Sequence, residues 1–409
     1  MKILKKMIPC SKYLSESIVE GVCILCNSKN IIDDKCLDCG TSNIPLFYLE
    51  RKVNIKKHIL KMSFSLSDAQ KEASSFFLSH YKNRSAAFLN AVCGSGKTEV
   101  MYETILCSLN SGEKPLIAIP RKEIVRELYY RLKNVFPNTV IKYLDGENHD
   151  DNADLILSTV HQLINYKDEF DLIILDEADA FPYANNDFLK RLVQKALKKN
   201  GILFKMSATE KEFIEDDRYT MNRRYHGRNL SMPIFYKMKS KYVTSSNEFK
   251  EILNTNRKVI IYVSSVHKAE ELSDELGCEC CTSKNARTDE IINSFKKNND
   301  KLLVSTTILE RGITIKNLDC IIYDASETVF THQTIIQICG RVGRSYDDPF
   351  GNIYIFFEKN SFKFDLVKSY IKRMNESWDV LFVISHSSTT SLLKISFILI
   401  LFAQTVFNI

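Results

Sequence analysis

A glycine-rich segment carries the clearest chemistry in the chain. The letters A-V-C-G-S-G-K-T begin at residue 91, after an apolar stretch that predicts a strand and before a pattern that predicts a helix. Gly94 and Gly96, on either side of Ser95, let backbone N–H groups point inward around a phosphate. Lys97 suits the β- and γ-phosphates of a nucleotide, and the Thr98 hydroxyl suits Mg²⁺. The segment therefore predicts a nucleoside triphosphate site.

Two adjacent carboxylates are the second signal. Asp176 and Glu177 directly follow the apolar stretch 171–175. Because ligands bind at the carboxyl ends of the strands in a parallel sheet, we expect both side chains to face the phosphates. Asp176 would bind Mg²⁺ through water, and Glu177 would polarise the attacking water. An acidic pair alone is usually a solvated turn, but here the preceding glycine-rich segment favours hydrolysis.

A third cluster, Q-I-C-G-R-V-G-R, begins at residue 337. Arg341 and Arg344 are three residues apart, which predicts one helix face with Gln337 on an adjacent turn. A planar guanidinium suits a γ-phosphate in its transition state. The alternative is a solvated basic helix, but Gly340 and Gly343 would destabilise it. We therefore expect catalytic roles for the two arginines and the glutamine.

Hydroxyl residues follow two further predicted strands, as S-T-V-H from residue 158 and as S-T-T from residue 305. Such groups can contact the phosphates of a nucleic-acid strand that crosses both halves of the molecule. The candidates are Thr159, His161, Thr306 and Thr307. Taken singly, Ser-Thr pairs after strands are more often helix caps.

Two weaker signals belong to the same set. The letters S-A-T from residue 207 follow a predicted strand, where they could couple hydrolysis to domain movement. Gln70 lies where a glutamine could recognise adenine, although a lone glutamine is otherwise uninformative.

Four cysteines near the start have metal-ligand spacing. Cys23 and Cys26 form one C-x₂-C pair, and Cys36 and Cys39 form another. Four thiolates in this arrangement predict a closed, structural Zn²⁺ site; iron–sulfur ligation and redox-active thiols are the alternatives. The module would fold around zinc, and it could also present the basic segment 51–58 to DNA. A second cysteine cluster at 278–281 has no matching pair and is interpreted as core.

Length and composition limit the class of protein. The chain has 409 residues, 44% of them hydrophobic and 26% charged, which suits a globular protein of about two or three domains. The net charge of +6 permits nucleic-acid binding but does not require it. No secretory signal precedes the 12 cysteines, so we expect a reduced, cytoplasmic protein. Residues 395–409 are uncharged but fall short of the roughly 20 that a membrane span needs, and we assign them no function.

The order of the apolar stretches predicts two domains. Stretches without polar alternation are typical of strands buried on both faces of a parallel sheet. They occur at 86–92, 115–120, 154–158, 171–175 and 201–207, and again at 258–264, 301–306, 319–324 and 352–357. Helices are predicted between them, as at 121–132 and 267–276, and a basic, irregular connector at 218–233 separates the two series. We expect a zinc-binding module with a basic segment at 1–60, αβ domains at 61–230 and 231–378, and an apolar tail at 379–409.

In this order the motifs resemble those of superfamily 2 helicases. More narrowly, the chain is similar to the ComFA family of DNA-uptake ATPases over roughly residues 66–357, on the strings AVCGSGKTE, DEADAFPYANN, RRYHGRNLSMP, TTILERGITI and QICGRVGRS. The family often has DEVD where this chain has DEAD, a change that keeps both carboxylates. The resemblance implies an α/β fold class, with two tandem RecA-like parallel-sheet domains and an N-terminal four-cysteine zinc module.

The same resemblance implies a function. The expected cofactors are ATP, Mg²⁺ and Zn²⁺, and the expected partner is single-stranded DNA, drawn inward at the cytosolic face of the membrane. It adds Gly312 to the nucleotide-binding residues and Arg121 to the nucleic-acid-binding ones. Further candidate partners are ComFC, the membrane DNA channel and other copies of the chain.

Two alternatives remain at this point. One is a replication-restart or RNA helicase, against which the zinc ligands and the ILERGIT string favour a competence protein. The other is a non-catalytic docking module of the uptake machinery. Intact Lys97, Glu177 and Arg344 count against a protein without activity.

Overall fold

A computed structural model describes residues 1–50, 56–146, 152–208, 217–282, 287–297, 300–307 and 315–385. Thr209 and Gly312, both singled out above, lie outside these ranges, as does the tail from residue 386.

The N-terminal residues form a small β module. A three-stranded antiparallel sheet has the order β1–β7–β2, and two short hairpins lie between its second and third strands in sequence. The strands are β1 (Lys2–Leu4), β2 (Lys12–Glu16), β3 (Ile18–Val19), β4 (Val22–Cys23), β5 (Ile31–Ile32), β6 (Lys35–Cys36) and β7 (Pro45–Leu49). Each hairpin carries one C-x₂-C pair, which brings the two pairs together.

The next domain is built on a seven-stranded sheet of order β10–β11–β9–β12–β13–β8–β14, in which every pairing is parallel. Its strands are β8 (Ala87–Ala91), β9 (Pro115–Ile119), β10 (Ile141–Leu144), β11 (Leu155–Thr159), β12 (Phe170–Leu175), β13 (Leu197–Ser207) and β14 (Arg218–Met221). Its helices are α1 (Asp68–Lys82), α2 (Lys97–Val100), α3 (Tyr102–Asn110), α4 (Lys122–Val135) and α5 (Asp187–Ala196), with a 3₁₀ helix at Val160–Asn165.

The apolar stretches form the central strands because the sheet is covered on both faces. One face packs against α1, α3 and α4 in a single apolar cluster. The opposite face packs against α5, the 3₁₀ helix and apolar residues of the N-terminal module. A strand between two such layers has no solvent-facing side, so its sequence does not alternate.

The second domain has a six-stranded sheet of order β15–β20–β19–β16–β18–β17, again with every pairing parallel. Its strands are β15 (Ile234–Lys237), β16 (Lys258–Tyr262), β17 (Glu279–Cys281), β18 (Leu302–Ser305), β19 (Leu318–Ile322) and β20 (Ile353–Phe357). Its helices are α6 (Asn247–Leu253), α7 (Val266–Leu276), α8 (Thr288–Lys297), α9 (His332–Cys339) and α10 (Phe362–Ser385). The predicted fold class, two parallel-sheet domains after a four-cysteine module, is thus confirmed.

The connector is shorter than predicted. Residues 218–221, taken above as irregular, form strand β14 and pair with β8. Backbone hydrogen bonding to an open sheet edge overrides their basic, polar composition. Among the helices that the structure describes, none has the length and apolar content needed to cross a membrane.

Candidate functional site

The glycine-rich segment forms a tight turn between β8 and α2. Gly94 and Gly96 have φ angles of 81° and 76°, a conformation that side chains with a Cβ rarely adopt. A Cβ on Gly96 would lie 2.2 Å from Nε2 of Gln70, so a larger residue there would displace the Gln70 side chain. The hydroxyl of Ser95 is buried and has no hydrogen-bond partner within the described chain. The turn therefore leaves a concave, donor-lined surface of the kind that holds phosphate.

The predicted carboxylates lie beside this turn, at the carboxyl end of β12. Lys97 Nζ is 3.1 Å from Oδ1 of Asp176, and the same oxygen accepts a hydrogen bond of 2.8 Å from the backbone N–H of Glu177. Glu177 has a φ of 55°, an uncommon value for a residue other than glycine and one that recurs at functional sites. Lysine and carboxylates thus face one another as the sequence predicted.

Burial sets the protonation chemistry of this pair. Desolvation raises the pKa of Asp176, although the charge of Lys97 opposes the rise. Desolvation alone would lower the pKa of Lys97, but the carboxylates of Asp176 and Glu177 outweigh it and the pKa is raised. The lysine therefore stays charged, as phosphate binding requires.

Gln70 connects the start of α1 to the phosphate loop. Its Oε1 accepts from the backbone N–H of Ser67 at 2.9 Å, and the Ser67 hydroxyl accepts in turn from the Gln70 N–H, which completes a capping box. Its Nε2 donates to the carbonyl of Gly96 at 3.2 Å. The side chain is thus held at the edge of the loop, where recognition of a base would place it.

The second domain contributes Gln337, Arg341 and Arg344 to the same cleft, but not from one helix face as predicted. Helix α9 ends at Cys339, so both arginines lie in the turns that follow it. Gly343 has a φ of 60°, and a Cβ on it would lie 2.4 Å from the carbonyl oxygen of Pro349. The glycines that argued against a solvated helix therefore end the helix altogether.

These residues touch the first domain directly. Gln337 Nε2 donates to Oδ2 of Asp179 at 3.4 Å. A Cβ on Gly340 would lie 2.0 Å from Cβ of Cys93, so the two loops are in close contact. Arg341 is 7% exposed, and burial together with the charge of Arg344 lowers its pKa to about 10.

A cavity of about 710 Å³ lies between the two domains and contains both sets of residues. Its lining includes the phosphate loop, Asp176, Glu177, Gln337 and both arginines. That volume is within the range of small-molecule and cofactor sites.

Several cavity residues were missed from the sequence. Glu99, directly after Thr98, has a buried Oε2 without a hydrogen-bond partner within the described chain, and its Oε1 lies 3.8 Å from Arg131. Phe64 and Tyr346 add aromatic rings from either side. Only the position of Glu99 beside the glycine-rich segment could have indicated it, since the others arrive through tertiary folding.

The residues present fit a nucleotide with Mg²⁺. A phosphate would find the donor-lined turn and the Lys97 ammonium, and Mg²⁺ would find the Thr98 hydroxyl and the Asp176 carboxylate, both oxygen ligands that it prefers. When bound, Mg²⁺ would neutralise charge on the phosphates.

The four N-terminal cysteines also converge. Their sulfurs all lie within 4.8 Å of one another, with Cys23 and Cys39 at 3.6 Å and Cys26 and Cys36 at 3.5 Å. A tetrahedral zinc ion with Zn–S bonds of about 2.3 Å separates its sulfurs by roughly 3.8 Å. The cluster fits zinc. Of the cysteines at 278–281, Cys281 is buried in one apolar cluster of the second domain, and Cys278 and Cys280 are partly buried against another.

The four-cysteine module is docked on the first domain rather than held apart from it. Lys195 of α5 donates from Nζ to the carbonyls of Leu25 at 2.5 Å and Ile164 at 2.7 Å. Burial lowers the pKa of this lysine to about 8. Arg191 of the same helix pairs with Asp38. Helix α5 thus joins the two cysteine hairpins to the 3₁₀ helix Val160–Asn165.

The described end of the basic segment, residues 56–58, contacts the first domain, whereas the sequence suggested that it could present basic side chains to DNA. Lys56 pairs with Asp154 at 2.8 Å, and the buried His58 bonds Asn110 and Thr139. These contacts lie at the amino ends of β10 and β11, the edge opposite the nucleotide cavity. Residues 51–55 are outside the described chain.

The candidate nucleic-acid residues lie at the carboxyl ends of strands in both domains. Thr159 ends β11, and Thr306 follows β18. In each case the preceding serine donates to the threonine carbonyl, Ser158 to Thr159 and Ser305 to Thr306, both at 2.8 Å. His161 follows in the 3₁₀ helix, where burial lowers its pKa. Arg121 precedes α4 at the carboxyl end of β9, and Thr307 follows Thr306.

Family models match both domains. Residues 63–212 match the model described as type III restriction enzyme, res subunit, and residues 244–346 match the helicase conserved C-terminal domain. The chain is therefore an ATP-hydrolysing enzyme of the helicase type.

Solved structures share the fold. Dbp5 of S. cerevisiae bound to RNA and ADP BeF3 has a TM-score of 0.57 at 17% identity, covering 78% of this chain and 97% of its own. The helicase Lhr of Mycobacterium smegmatis has a TM-score of 0.54 at 13% identity, covering 76% of this chain and 50% of its own.

Curated relatives give the narrower assignment. Competence protein ComFA of Bacillus subtilis is 33% identical, over 82% of this chain and 78% of its own. Its counterpart in Streptococcus pneumoniae is 31% identical, over 78% of this chain and 79% of its own. The ATP-dependent DNA helicase RecG of Streptococcus pneumoniae is more distant, at 24% identity over 74% of this chain and 50% of its own. With the predicted resemblance confirmed at this level, the chain belongs to the ComFA family.

Proposed function

We propose that this protein is a DNA-stimulated ATPase that translocates along single-stranded DNA and drives its uptake during competence. The observation that carries the proposal is the convergence of the phosphate loop, the carboxylates of β12 and the arginines after α9 on one interdomain cavity. A motor needs hydrolysis to change the distance between two domains, and a cavity with catalytic groups from both provides that coupling.

The proposed roles follow from position. Lys97 binds the β- and γ-phosphates, Asp176 holds Mg²⁺ and Glu177 orients the attacking water. Arg344 and Arg341 stabilise negative charge in the transition state when the domains are closed, and Gln337 lies between them and Asp179. Gln70 recognises the base. The arginines reach the phosphate loop only when the two domains are in contact.

Single-stranded DNA would cross the carboxyl ends of β11 and β18. Thr159 and His161 in the first domain, and Thr306 and Thr307 in the second, would contact its phosphates, with Arg121 supplying charge. The equal Ser-to-Thr hydrogen bonds in the two domains support equivalent roles.

The proposed setting is the cytoplasm, at the inner face of the membrane, with ComFC and the DNA channel as candidate partners. Zn²⁺ would be held by the four cysteines as a structural ion. These assignments rest on membership of the ComFA family and on the sulfur geometry.

Steady-state ATP hydrolysis, measured alone and with single-stranded DNA, double-stranded DNA or RNA, tests the proposal. We expect single-stranded DNA to raise kcat most. Stimulation by RNA alone would favour an RNA helicase, and absence of any hydrolysis would favour a docking module.

A further inference from the structure

The connector after β14 contains the string R-R-Y-H-G-R-N from residue 223, to which the chemistry above gives no role. It leaves the first sheet at Met221, passes the phosphate loop and continues toward β15 of the second domain. The backbone N–H of Leu230 bonds to Asn375 of α10 at 3.0 Å, so the connector is already attached to the second domain there.

Arg224 is the buried centre of this connector, at 2% exposure. Its Nη1 donates to the carbonyls of Val342 at 2.7 Å and Gly343 at 2.8 Å, and its Nη2 lies 3.5 Å from the carbonyl of Cys339. These three carbonyls belong to the end of α9 and to the turn that carries Arg344. A residue of the connector thus holds the backbone of the arginine turn.

The next two residues, Tyr225 and His226, also bond the turn that carries Arg344, and Tyr225 bonds the phosphate loop as well. Tyr225 donates from its backbone N–H to the carbonyl of Gly94 at 3.1 Å, and its hydroxyl donates to the carbonyl of Arg344 at 3.1 Å. Nε2 of His226 donates to the carbonyl of Gly343 at 2.9 Å, while its Nδ1 accepts from the N–H of Arg228. Acceptance at Nδ1 requires the neutral imidazole, and burial, which lowers the pKa of His226, favours that form.

The aliphatic part of Arg224 lies against the phosphate loop. A Cβ on Gly94 would be 3.8 Å from Cγ and Cδ of Arg224 and 3.6 Å from Cγ of Arg344. Gly94 therefore lies between Arg224 and Arg344. The connector, the phosphate loop and the arginine turn meet at this one point.

The choice of arginine has a physical reason. Within the described residues no carboxylate pairs with Arg224, so a buried cation is held by neutral carbonyls alone, and burial lowers its pKa to about 10. The end of a helix favours a cation because its last carbonyls lack partners. A planar guanidinium can bridge several carbonyls at once, whereas a lysine ammonium is a single point.

We propose that Arg224 is a positioning residue that fixes the turn Val342–Arg344 against the phosphate loop and so sets the reach of Arg344. This inference rests on the proposed role of Arg344 in hydrolysis. All three hydrogen bonds of Arg224 are to backbone carbonyls, so in this inference it acts through Arg344 and not on the nucleotide.

The test compares Arg224→Met and Arg224→Lys with the control Arg228→Met. Arg228 is an exposed arginine of the same connector, stacked on Phe350 at 5.4 Å. A displacement of about 1 Å can cost on the order of 10²-fold in rate, so we expect Arg224→Met to lower DNA-stimulated kcat about 10- to 100-fold with KM for ATP changed less than about three-fold. Arg224→Lys should recover little of this loss, and the control should keep wild-type kcat.

A double-mutant cycle separates positioning from general destabilisation. In an Arg344→Ala background, adding Arg224→Met should lower kcat by less than about two-fold, because the group that Arg224 positions is already gone. Additive losses would overturn the inference. Because Arg224→Met removes a buried group that bonds three carbonyls, Tyr225→Phe provides a second variant that removes only one exposed hydroxyl. We expect this variant to show a smaller fall in kcat with an unchanged midpoint of thermal unfolding.

Different results would refute the proposed role of Arg344 and the positioning role of Arg224. An Arg344→Ala enzyme with wild-type kcat would refute the catalytic role of Arg344. A large loss in Arg344→Ala beside wild-type kcat in a folded Arg224→Met would refute only the positioning role of Arg224.

Discussion

Glu177 is the residue that we propose to orient the attacking water. It directly follows Asp176, its φ is 55°, and it lines the cavity that contains Lys97. A carboxylate there can accept a proton from water, and an amide cannot.

We therefore expect Glu177→Gln to bind ATP with nearly unchanged affinity and to lower kcat on the order of 10²–10⁴-fold. Binding by a fluorescent ATP analogue and single-turnover hydrolysis would measure the two quantities. Asp187→Asn, which neutralises a carboxylate that is 87% exposed at the start of α5, is the control. Activity near wild type in Glu177→Gln would mean that another group orients the water.

Arg344 offers the second prediction at this scale. It reaches the cleft from the second domain, so it can serve the closed state without contributing to the initial binding of ATP by the first. Arg344→Ala should lower kcat about 10³-fold or more, the range expected for an arginine finger, while the Kd for ATP changes little. Weakened ATP binding with a normal kcat would instead assign Arg344 to ground-state binding.

At the scale of elements, the central strands were predictable because burial on both faces leaves uninterrupted apolar stretches. The prediction at 171–175 corresponds to Phe170–Leu175, and the helix predicted at 121–132 corresponds to Lys122–Val135. Local sequence alone contains that information. The phosphate loop was equally accessible, since its chemistry is contained in one continuous segment.

Other elements could not be predicted from the sequence, because contacts with residues far away in the chain determine them. Strand β14 forms only because β8 offers an open edge. Helix α9 ends at Cys339, and the turn that follows it is fixed at Gly343 by close contact with Pro349. Lys195, which bonds the cysteine hairpins to the first domain, is marked by no motif. Each of these requires a partner far away in the sequence.

Lys195 provides a prediction for the elements that it joins. The Lys195 ammonium bonds the carbonyls of Leu25 and Ile164. A zinc ion with four thiolates would carry a net charge of about −2, which this ammonium would offset. Lys195→Met would leave buried carbonyls without a donor, at a cost of about 1–3 kcal/mol. We expect zinc transfer to a chromogenic chelator about five-fold faster or more, and weaker stimulation by single-stranded DNA because the 3₁₀ helix with His161 loses its support.

The control is Lys190→Met on the same helix, where the side chain is 43% exposed. Metal analysis of both purified variants establishes the starting zinc content, expected at one ion per chain. Equal chelation rates in the two variants would show that Lys195 does not support the zinc module. A wild type without zinc would refute the metal assignment itself.

On the scale of the whole molecule, the two sheets share one strand order. Aligning β10–β11–β9–β12–β13–β8 with β17–β18–β16–β19–β20–β15 places β11 opposite β18 and β9 opposite β16. The S-T-V-H and S-T-T segments therefore occupy equivalent positions, and the proposed path of the DNA passes both. Each motif alone is a weak indication of nucleic-acid binding, and their equivalent positions make the pair a stronger one.

The final prediction separates charge from hydroxyl contacts along that path. Each phosphate neutralised on a single strand contributes about 0.7 to the slope of log affinity against log salt concentration. Arg121→Ala should therefore weaken single-stranded DNA binding and flatten the slope by about 0.7. Thr159→Val combined with Thr306→Val should weaken binding at every salt concentration and leave the slope unchanged, because no charge is removed. Lys133→Ala is the matched control for charge: it lies in the last turn of α4, roughly 18 Å along the helix from Arg121, and should change neither quantity. Fluorescence anisotropy titrations at several salt concentrations measure both values, and an unchanged slope in Arg121→Ala would remove that arginine from the DNA path.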